Sequence, residues 1–214
     1  MVRFAQWMFY FTGLALFSFG ISVAIRVKYL GIHPWDVLSV ALYDLFGFTI
    51  GTWNIIVGFT LIIISFVIDR RYIKIGTFLN AVLVGAFVDL YLWSDLLPEA
   101  TYTWTDYVMI FCGILFMGIG GGLYNAADVG AGPRDGFMLS LSDKIGWSIS
   151  KVRIIVESMV LVIGFLLGGP VFIVTFVFTF IQSPVFQRSY KFFSRLLSFI
   201  RHKKEFEGSR SMQG

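Results

Sequence analysis

Charged and amide side chains interrupt the apolar segments of this chain. Ionised groups are costly inside a bilayer, so they usually pair with one another, face water, or carry protons and substrates. Asp36 and Asp135 each stand two residues after a proline, and Arg134 is adjacent to the second aspartate. The candidates for a substrate path are Pro34, Asp36, Asn54, Asn125, Pro133, Arg134, Asp135, Arg153 and Glu157, with Asn80 as a further polar companion.

Pro34 and Pro133 open two copies of one segment. Both copies read Gly-x-x-Pro-x-Asp, at residues 31–36 and 130–135, with a constant offset of 99 positions. Each copy continues through apolar residues to a second aspartate, then a glycine, then Thr or Ser. A gapless match of this length indicates a duplicated unit. In membrane proteins, duplicated halves with broken helices often mark a transport path.

The composition predicts an integral membrane protein. Apolar residues make up 57% of the 214 residues, charged residues only 14%, and the mean hydropathy is +0.79. These values lie outside the range of soluble domains. The loops are short, so we expect no separate soluble catalytic domain.

Enzymatic and metal sites find little support in the sequence. One cysteine, Cys112, excludes an intramolecular disulfide and a cysteine metal cluster. Of the two histidines, we interpret His33 as an interfacial residue rather than a ligand. An intramembrane aspartyl protease would pair two carboxylates, but Arg134 occupies the position directly before Asp135, where that motif requires glycine. We therefore predict no catalytic residues, no metal and no cofactor.

The apolar pattern predicts an all-α polytopic membrane protein. Two segments, 34–46 and 133–146, are each about 13 residues long, or roughly 20 Å at 1.5 Å per residue, which is too short for a hydrocarbon core of roughly 30 Å. We interpret them as half-helices, so that each repeat reads span, half-helix, span, span. The six full spans are expected near 5–27, 50–68, 75–94, 106–126, 149–168 and 170–187.

Local signals explain the ends of the half-helices. Proline is well placed at a first helical position, and an aspartate near that end complements the helix dipole. Gly47 and Gly146 can end the helices, and Thr49 and Ser148 can cap the next spans. Pro-x-Asp therefore also has a purely structural interpretation as a helix start.

Several charged residues keep two interpretations. Asp36 and Asp135 could approach a shared central cavity, or an arginine such as Arg134 could simply neutralise one of them. Glu157 could pair with Arg153 four residues earlier, or titrate within a cavity. The sequence leaves these alternatives open.

The distribution of basic residues favours an inverted repeat. If both half-helices re-enter without crossing, only Arg26 and Lys28 of the 17 basic residues lie outside, in line with the positive-inside rule. Two crossing half-helices give parallel halves and a much weaker bias. A model in which only 34–46 crosses scores as well, but breaks the equivalence of the repeats. We therefore predict two inverted repeats with both termini cytoplasmic.

The predicted organisation has four parts: a first membrane repeat over 1–94, an extracytoplasmic loop over 95–106, a second repeat over 107–187 and a cytoplasmic tail over 188–214. The tail interleaves aromatic residues with cations, which is typical of an interfacial helix on anionic lipid rather than of a nucleic-acid site. We expect residues 205–214 to be disordered. A homo-oligomer is a further candidate partnership.

The duplicated Gly-x-x-Pro-x-Asp, followed by Gly47-Phe48-Thr49 and Gly146-Trp147-Ser148, resembles the YczE/YyaS/YitT family of bacterial integral membrane proteins. The resemblance covers nearly the whole chain except the tail. Many YitT-like members carry a soluble C-terminal domain that is absent here, which favours the YczE-like branch. The resemblance implies a location in the bacterial cytoplasmic membrane but supplies no substrate.

Two functions follow as hypotheses. The first is a transporter or permease for a small solute or ion, with the half-helices lining its path. The alternative is a non-transporting membrane scaffold or regulator of an envelope or secreted-metabolite process, which would meet cytoplasmic partners through its basic tail.

Overall fold

The computed structural model describes residues 2–94 and 96–211. Within these ranges the chain forms eight α-helices: α1 (Val2–Arg26), α2 (Pro34–Phe46), α3 (Ile50–Ile68), α4 (Ile75–Trp93), α5 (Trp104–Ala126), α6 (Pro133–Ile145), α7 (Ile149–Leu166) and α8 (Ile173–Ser211). Single 3₁₀ turns, Lys28–Leu30 and Arg70–Tyr72, follow α1 and α3.

Four of the described helices, α1, α3, α4 and α5, are long and apolar enough to cross a membrane. The segments predicted as the fifth and sixth spans are also helical, from residues 149 and 173, but charged or polar side chains interrupt both of them. Lys151, Arg153 and Glu157 all lie on α7. In α8, Gln182, Ser183 and other polar residues interrupt the apolar pattern.

The two short helices form as the local signals predict. Helices α2 and α6 each contain 13 residues and have proline at their first position. Gly47 and Gly146 follow them with φ values of +74° and +69°, which favour glycine because it has no Cβ. The hydroxyl of Thr49 accepts a hydrogen bond from the Thr52 amide at 3.0 Å. Ser148 caps α7 in the same way through the Lys151 amide.

Helices α1 and α5 run in opposite directions. A methyl group on Gly13 would lie 2.9 Å from the Gly120 carbonyl oxygen, and one on Gly20 would lie 2.6 Å from that of Gly113. The residue numbers rise along α1 as they fall along α5, so the two helices are antiparallel. Their close approach depends on these glycines.

Helices α1 and α4 instead run parallel. The hydroxyl of Ser22 donates to the Val88 carbonyl at 3.4 Å, and the guanidinium of Arg26 donates to the Leu92 carbonyl at 2.9 Å. Both pairs are separated by 66 residues, as expected for two helices that point the same way.

Helices α5 and α8 are also parallel. Gly118 lies against Val185, and Gly122 lies against Ser189. The glycine run of α5 thus provides close packing on α8, as well as on α1.

Each short helix packs against a long helix of the other half of the chain: α2 contacts α7, and α6 contacts α3. On the first of these contacts, Gly164 lies against Val37; on the second, Gly58 lies close to Pro133. The N-terminal and C-terminal halves of the chain therefore interlock at the centre of the bundle rather than packing as two separate bodies.

The C-terminal part differs from the prediction. Helix α8 continues past residue 187 to Ser211, so the expected boundary at 187/188 falls inside one helix. Phe193 contacts Phe9 of α1 with ring centroids 5.8 Å apart, and this contact extends the packing of α8 beyond the boundary. The expected disorder is wrong for residues 205–211, which are helical, and residues 212–214 lie outside the described ranges.

Candidate functional site: a central cavity between the half-helices

The N-terminal ends of α2 and α6 reach the same cavity at the centre of the bundle. His33 and Trp35 line it from α2 and its cap, and Pro133, Arg134 and Asp135 line it from α6. Its volume is about 90 Å³, enough for several water molecules. Side chains of α1, α3, α4, α5, α7 and α8 complete the wall.

Arg134 joins the two short helices through an ion pair. Its guanidinium donates to Asp36 Oδ1 at 3.3 Å and to Asn54 Oδ1 at 2.6 Å. The Asp36 side chain is 1% exposed and that of Arg134 is 20% exposed, so the pair is largely withdrawn from solvent. Arg134 thus contacts the aspartate of the other half-helix.

Trp35 and Arg134 occupy equivalent positions in the two copies and contact each other. The guanidinium carbon lies 5.4 Å from the centroid of the indole ring, within the range of a cation–π interaction. Contact between equivalent residues places this part of the site at the junction of the two repeats.

A second ion pair lies within the second repeat. The guanidinium of Arg153 donates to Asp135 Oδ1 at 3.2 Å, and the Tyr124 hydroxyl donates to Asp135 Oδ2 at 3.4 Å. On the same cavity, His33 Nε2 lies 3.9 Å from Glu157 Oε1. The site therefore concentrates acidic and basic groups in a small buried volume.

Most predicted path residues meet at this site. Asn54, Pro133, Arg134, Asp135, Arg153 and Glu157 line the cavity, and Asp36 contacts it through Arg134. Pro34 is buried at the start of α2, between two lining residues. Asn125 lies outside the lining, and its amide donates to the Gly121 carbonyl of its own helix at 2.9 Å.

The interpretation of His33 as an interfacial residue is wrong. The residue is 7% exposed and lies against Phe178 of α8, with ring centroids 5.4 Å apart. The loop before α2 descends into the bundle, so a residue that precedes the half-helix is buried. In the aligned copies His33 corresponds to Gly132, and each directly precedes the proline that opens a short helix. This alignment could have indicated that His33 lies near the cavity.

Sequence reasoning also missed Trp35 and Tyr124 as lining residues. For Trp35, its alignment with Arg134 was an available signal. Tyr124 had none, because an aromatic residue within an apolar span resembles any other core residue. Its position depends on the packing of α5 against α6.

The outer ends of the half-helices carry different contacts. Asp44 lies 3.9 Å from Lys28, and both side chains are more than 40% exposed. Asp143 accepts hydrogen bonds from the Tyr72 hydroxyl at 2.6 Å and from Arg71 at 3.2 Å. The hydrogen bond to Asp143 raises the pKa of Tyr72. These cations and hydroxyl groups offset the unfavourable placement of a carboxylate at a helix C-terminus.

Apolar helices with ion pairs buried between them define this chain as an integral membrane protein. A family model described as "Family of unknown function (DUF6198)" matches residues 4–200, and the chain belongs to that family. The expected resemblance to YczE and YyaS is confirmed by two relatives described below.

Three relatives extend the comparison. The chain is 40% identical to "Uncharacterized membrane protein YczE" of Bacillus subtilis, over 78% of this chain and 76% of the relative. It is 29% identical to an "Uncharacterized protein" of Haemophilus influenzae, over 92% and 89% of the two chains. Identity to "Uncharacterized protein YyaS" of Bacillus subtilis is 26%, over 78% and 83%. No solved structure matches the chain.

Proposed function

We propose that this protein is a small secondary transporter or permease that moves a small solute or ion across a bacterial cytoplasmic membrane. The observation that carries the proposal is the meeting of two half-helix N-termini at one cavity lined by ionisable groups. In transporters built from repeats, broken helices present their ends to the substrate in this manner. The proposed path runs through the cavity.

The directions of the helices support an inverted arrangement of the repeats. A two-fold axis in the membrane plane makes equivalent helices antiparallel, and α1 and α5 are antiparallel. The same axis turns a parallel pair of helices in one half into a parallel pair in the other half. Helices α1 and α4 are such a pair in the first half, and α5 and α8 are the equivalent pair in the second. We propose six crossings, by α1, α3, α4, α5, α7 and the first part of α8. Helices α2 and α6 then re-enter from opposite faces, and both termini are cytoplasmic.

The ion pairs at the cavity suggest how the site changes during transport. Asp36, Asp135 and Glu157 each lie beside a basic group. A solute or proton that enters must compete for one of these partners, because a charge left unpaired in a low-dielectric site is unfavourable. Exchange of partners at the junction of the repeats would couple binding to their relative movement.

The test is flux through the purified protein in proteoliposomes. A trapped pH-sensitive dye reports the movement of protons. Labelled small carboxylates, amines and sugars report the movement of solutes. We expect the wild-type protein to move at least one probe, and the double variant Asp36→Asn with Asp135→Asn to lose this flux. Both carboxylates are removed from the centre without a large change in volume.

The chain offers a matched control. Asp44→Asn with Asp143→Asn makes the same change at the outer ends of the same two helices, and this variant should retain flux. Unchanged flux in the central double variant would contradict the proposal. A wild-type protein that moves none of the probes would also contradict it, and would favour a scaffold or regulatory role.

A further inference from the structure

The wall of the central cavity presents buried hydrogen-bond donors that have no protein partner. Among the described residues that line the cavity, three side chains have such a donor: Trp35 at Nε1, Asn80 at Nδ2 and Arg153 at Nε. Trp35 is 3% exposed and Asn80 is 5% exposed. A buried donor without a partner is costly, so these positions call for an acceptor.

The acidic groups of the cavity, by contrast, already have basic neighbours. Asp135 pairs with Arg153 at 3.2 Å, and Glu157 lies 3.9 Å from His33. Asp36, behind the wall, pairs with Arg134 through Oδ1 at 3.3 Å, and its buried Oδ2 has no protein partner. The Nδ1 atom of His33 is buried without a protein partner and can either donate or accept. Among the buried polar atoms of the wall that have no protein partner, hydrogen-bond donors therefore predominate.

The ends of the half-helices add positive potential at the same place. The first backbone N–H groups of a helix have no partner within it, and the helix dipole is positive there. The Asn80 amide lies beside Gly132, the cap of α6: a Cβ on that glycine would be 3.5 Å from Asn80 Nδ2. One unpartnered donor is thus next to a helix end that itself favours an anion.

From these contacts we infer that the cavity binds a small solute through a carboxylate group. The carboxylate accepts hydrogen bonds from Trp35, Asn80 and Arg153 at the N-terminal end of α6. A monoanion suits the site better than a dianion, because Asp135 and Glu157 lie on the same wall. A volume of about 90 Å³ limits the solute to a few heavy atoms. That the bound solute is also transported rests on the proposed function.

The test compares three probes of nearly equal size on the full-length protein in nanodiscs. Acetate carries the carboxylate, acetamide is its neutral counterpart, and methylammonium is a small cation. Binding is measured by calorimetry and by the increase in the thermal unfolding midpoint. We expect acetate to bind, and the other two probes to bind at least roughly tenfold more weakly. A tenfold difference corresponds to the loss of one charge-assisted hydrogen bond.

Paired tryptophan variants locate the binding. Trp35→Phe removes the unpartnered indole N–H and keeps an aromatic ring beside Arg134, so acetate should bind roughly tenfold more weakly. Trp53→Phe makes the same change outside the cavity, where the indole donates to the Gly47 carbonyl at 2.9 Å, and acetate binding should be unaltered. Asn80→Leu provides a second cavity variant if Trp35→Phe does not fold.

The outcomes separate this inference from the proposed function. Equal binding of acetamide or methylammonium, absence of acetate binding, or unaltered binding in the folded cavity variant overturns the carboxylate site. Flux of an amine without acetate binding would overturn the site and leave transport intact. Acetate binding without flux of any probe would support the site and contradict transport.

Discussion

At the scale of single residues, the central ion pair of Arg134 and Asp36 links the two short helices. The guanidinium of Arg134 donates to Asp36 Oδ1 at 3.3 Å, and Asn54 Oδ1 accepts a second hydrogen bond from the same guanidinium. Asp36 is fully buried. Removing one partner of such a pair leaves a charge without compensation, which is more costly than removing both.

We expect Arg134→Met to destabilise the protein by about 3–5 kcal/mol because Asp36 then lacks its cation. Adding Asp36→Asn should recover part of this loss. Unfolding in mixed detergent micelles measures both effects. The exposed pair provides the comparison: Lys28→Met, which breaks the contact with Asp44, should cost about 0–1 kcal/mol. Equal effects of the two single substitutions would contradict the structural role of the central pair.

A second residue-scale prediction concerns pH and Tyr29, which lies in the turn after α1. The Tyr29 hydroxyl donates to Asp106 at 2.7 Å, and this hydrogen bond raises the pKa of Tyr29 to about 12 from its ordinary value of 10.0. The folded state therefore favours the protonated phenol. The associated stability is complete below pH 10.0 and is lost as the pH rises through about 12.

The measurement is the ultraviolet absorbance of phenolate during a base titration. The difference between the wild-type protein and Tyr29→Phe should contain one phenol that titrates near pH 12. A difference component at the ordinary pKa of tyrosine would show that the hydrogen bond to Asp106 is absent in solution.

At the scale of helices, glycines set the distance between α1 and α5. Gly13, Gly20, Gly113 and Gly120 lie where the two backbones meet, and any Cβ there would enter the opposite helix. In lipid, close packing of this kind is a main source of helix association because lipid chains are as apolar as the side chains.

We expect Gly120→Ala to destabilise the protein by about 1–3 kcal/mol, because its methyl group would lie 2.7 Å from the Gly13 carbonyl oxygen. Gly136→Ala is the matched control within α6. Its methyl group would be 3.7 Å from the Tyr72 carbonyl oxygen, so the higher helix propensity of alanine should stabilise the protein by up to about 1 kcal/mol. Unfolding in micelles measures both variants, and equal stability would contradict the proposed packing.

At the scale of the whole molecule, the contacts of α2 with α7 and of α6 with α3 interlock the two halves of the chain. Under the proposed inversion, the Lys28 turn lies outside and the start of α7 lies inside. Lys28 contacts Asp44 at the far end of α2, whereas Asp143 at the far end of α6 contacts the Arg71 turn. The two clusters would thus face opposite sides of the membrane.

Single introduced cysteines test this arrangement in a Cys112→Ala background. Lys28→Cys should react with a membrane-impermeant maleimide added to intact cells, and Lys151→Cys should react only after the membrane is opened. The cysteine-free protein controls for unspecific labelling. Labelling of both positions from the same face would contradict the inverted repeat.

The local sequence was enough to predict the bounds of the two short helices. The segment 34–46 matches α2, and 133–146 exceeds α6 by one residue. Proline at the start, glycine at the end and a capping hydroxyl each act on backbone groups within one or two turns. Such signals need no knowledge of what lies across the bundle.

The partners of the charged side chains could not be predicted in the same way. Arg134 pairs with an aspartate 98 residues away, His33 is buried against α8, and Asn125 lies outside the cavity. A continuous α8 also replaces the separate tail helix. These outcomes depend on which helix faces become neighbours when the repeats interlock. The sequence by itself therefore determined where the half-helices begin and end, and only the tertiary structure decided which groups meet, because distant segments come into contact through packing.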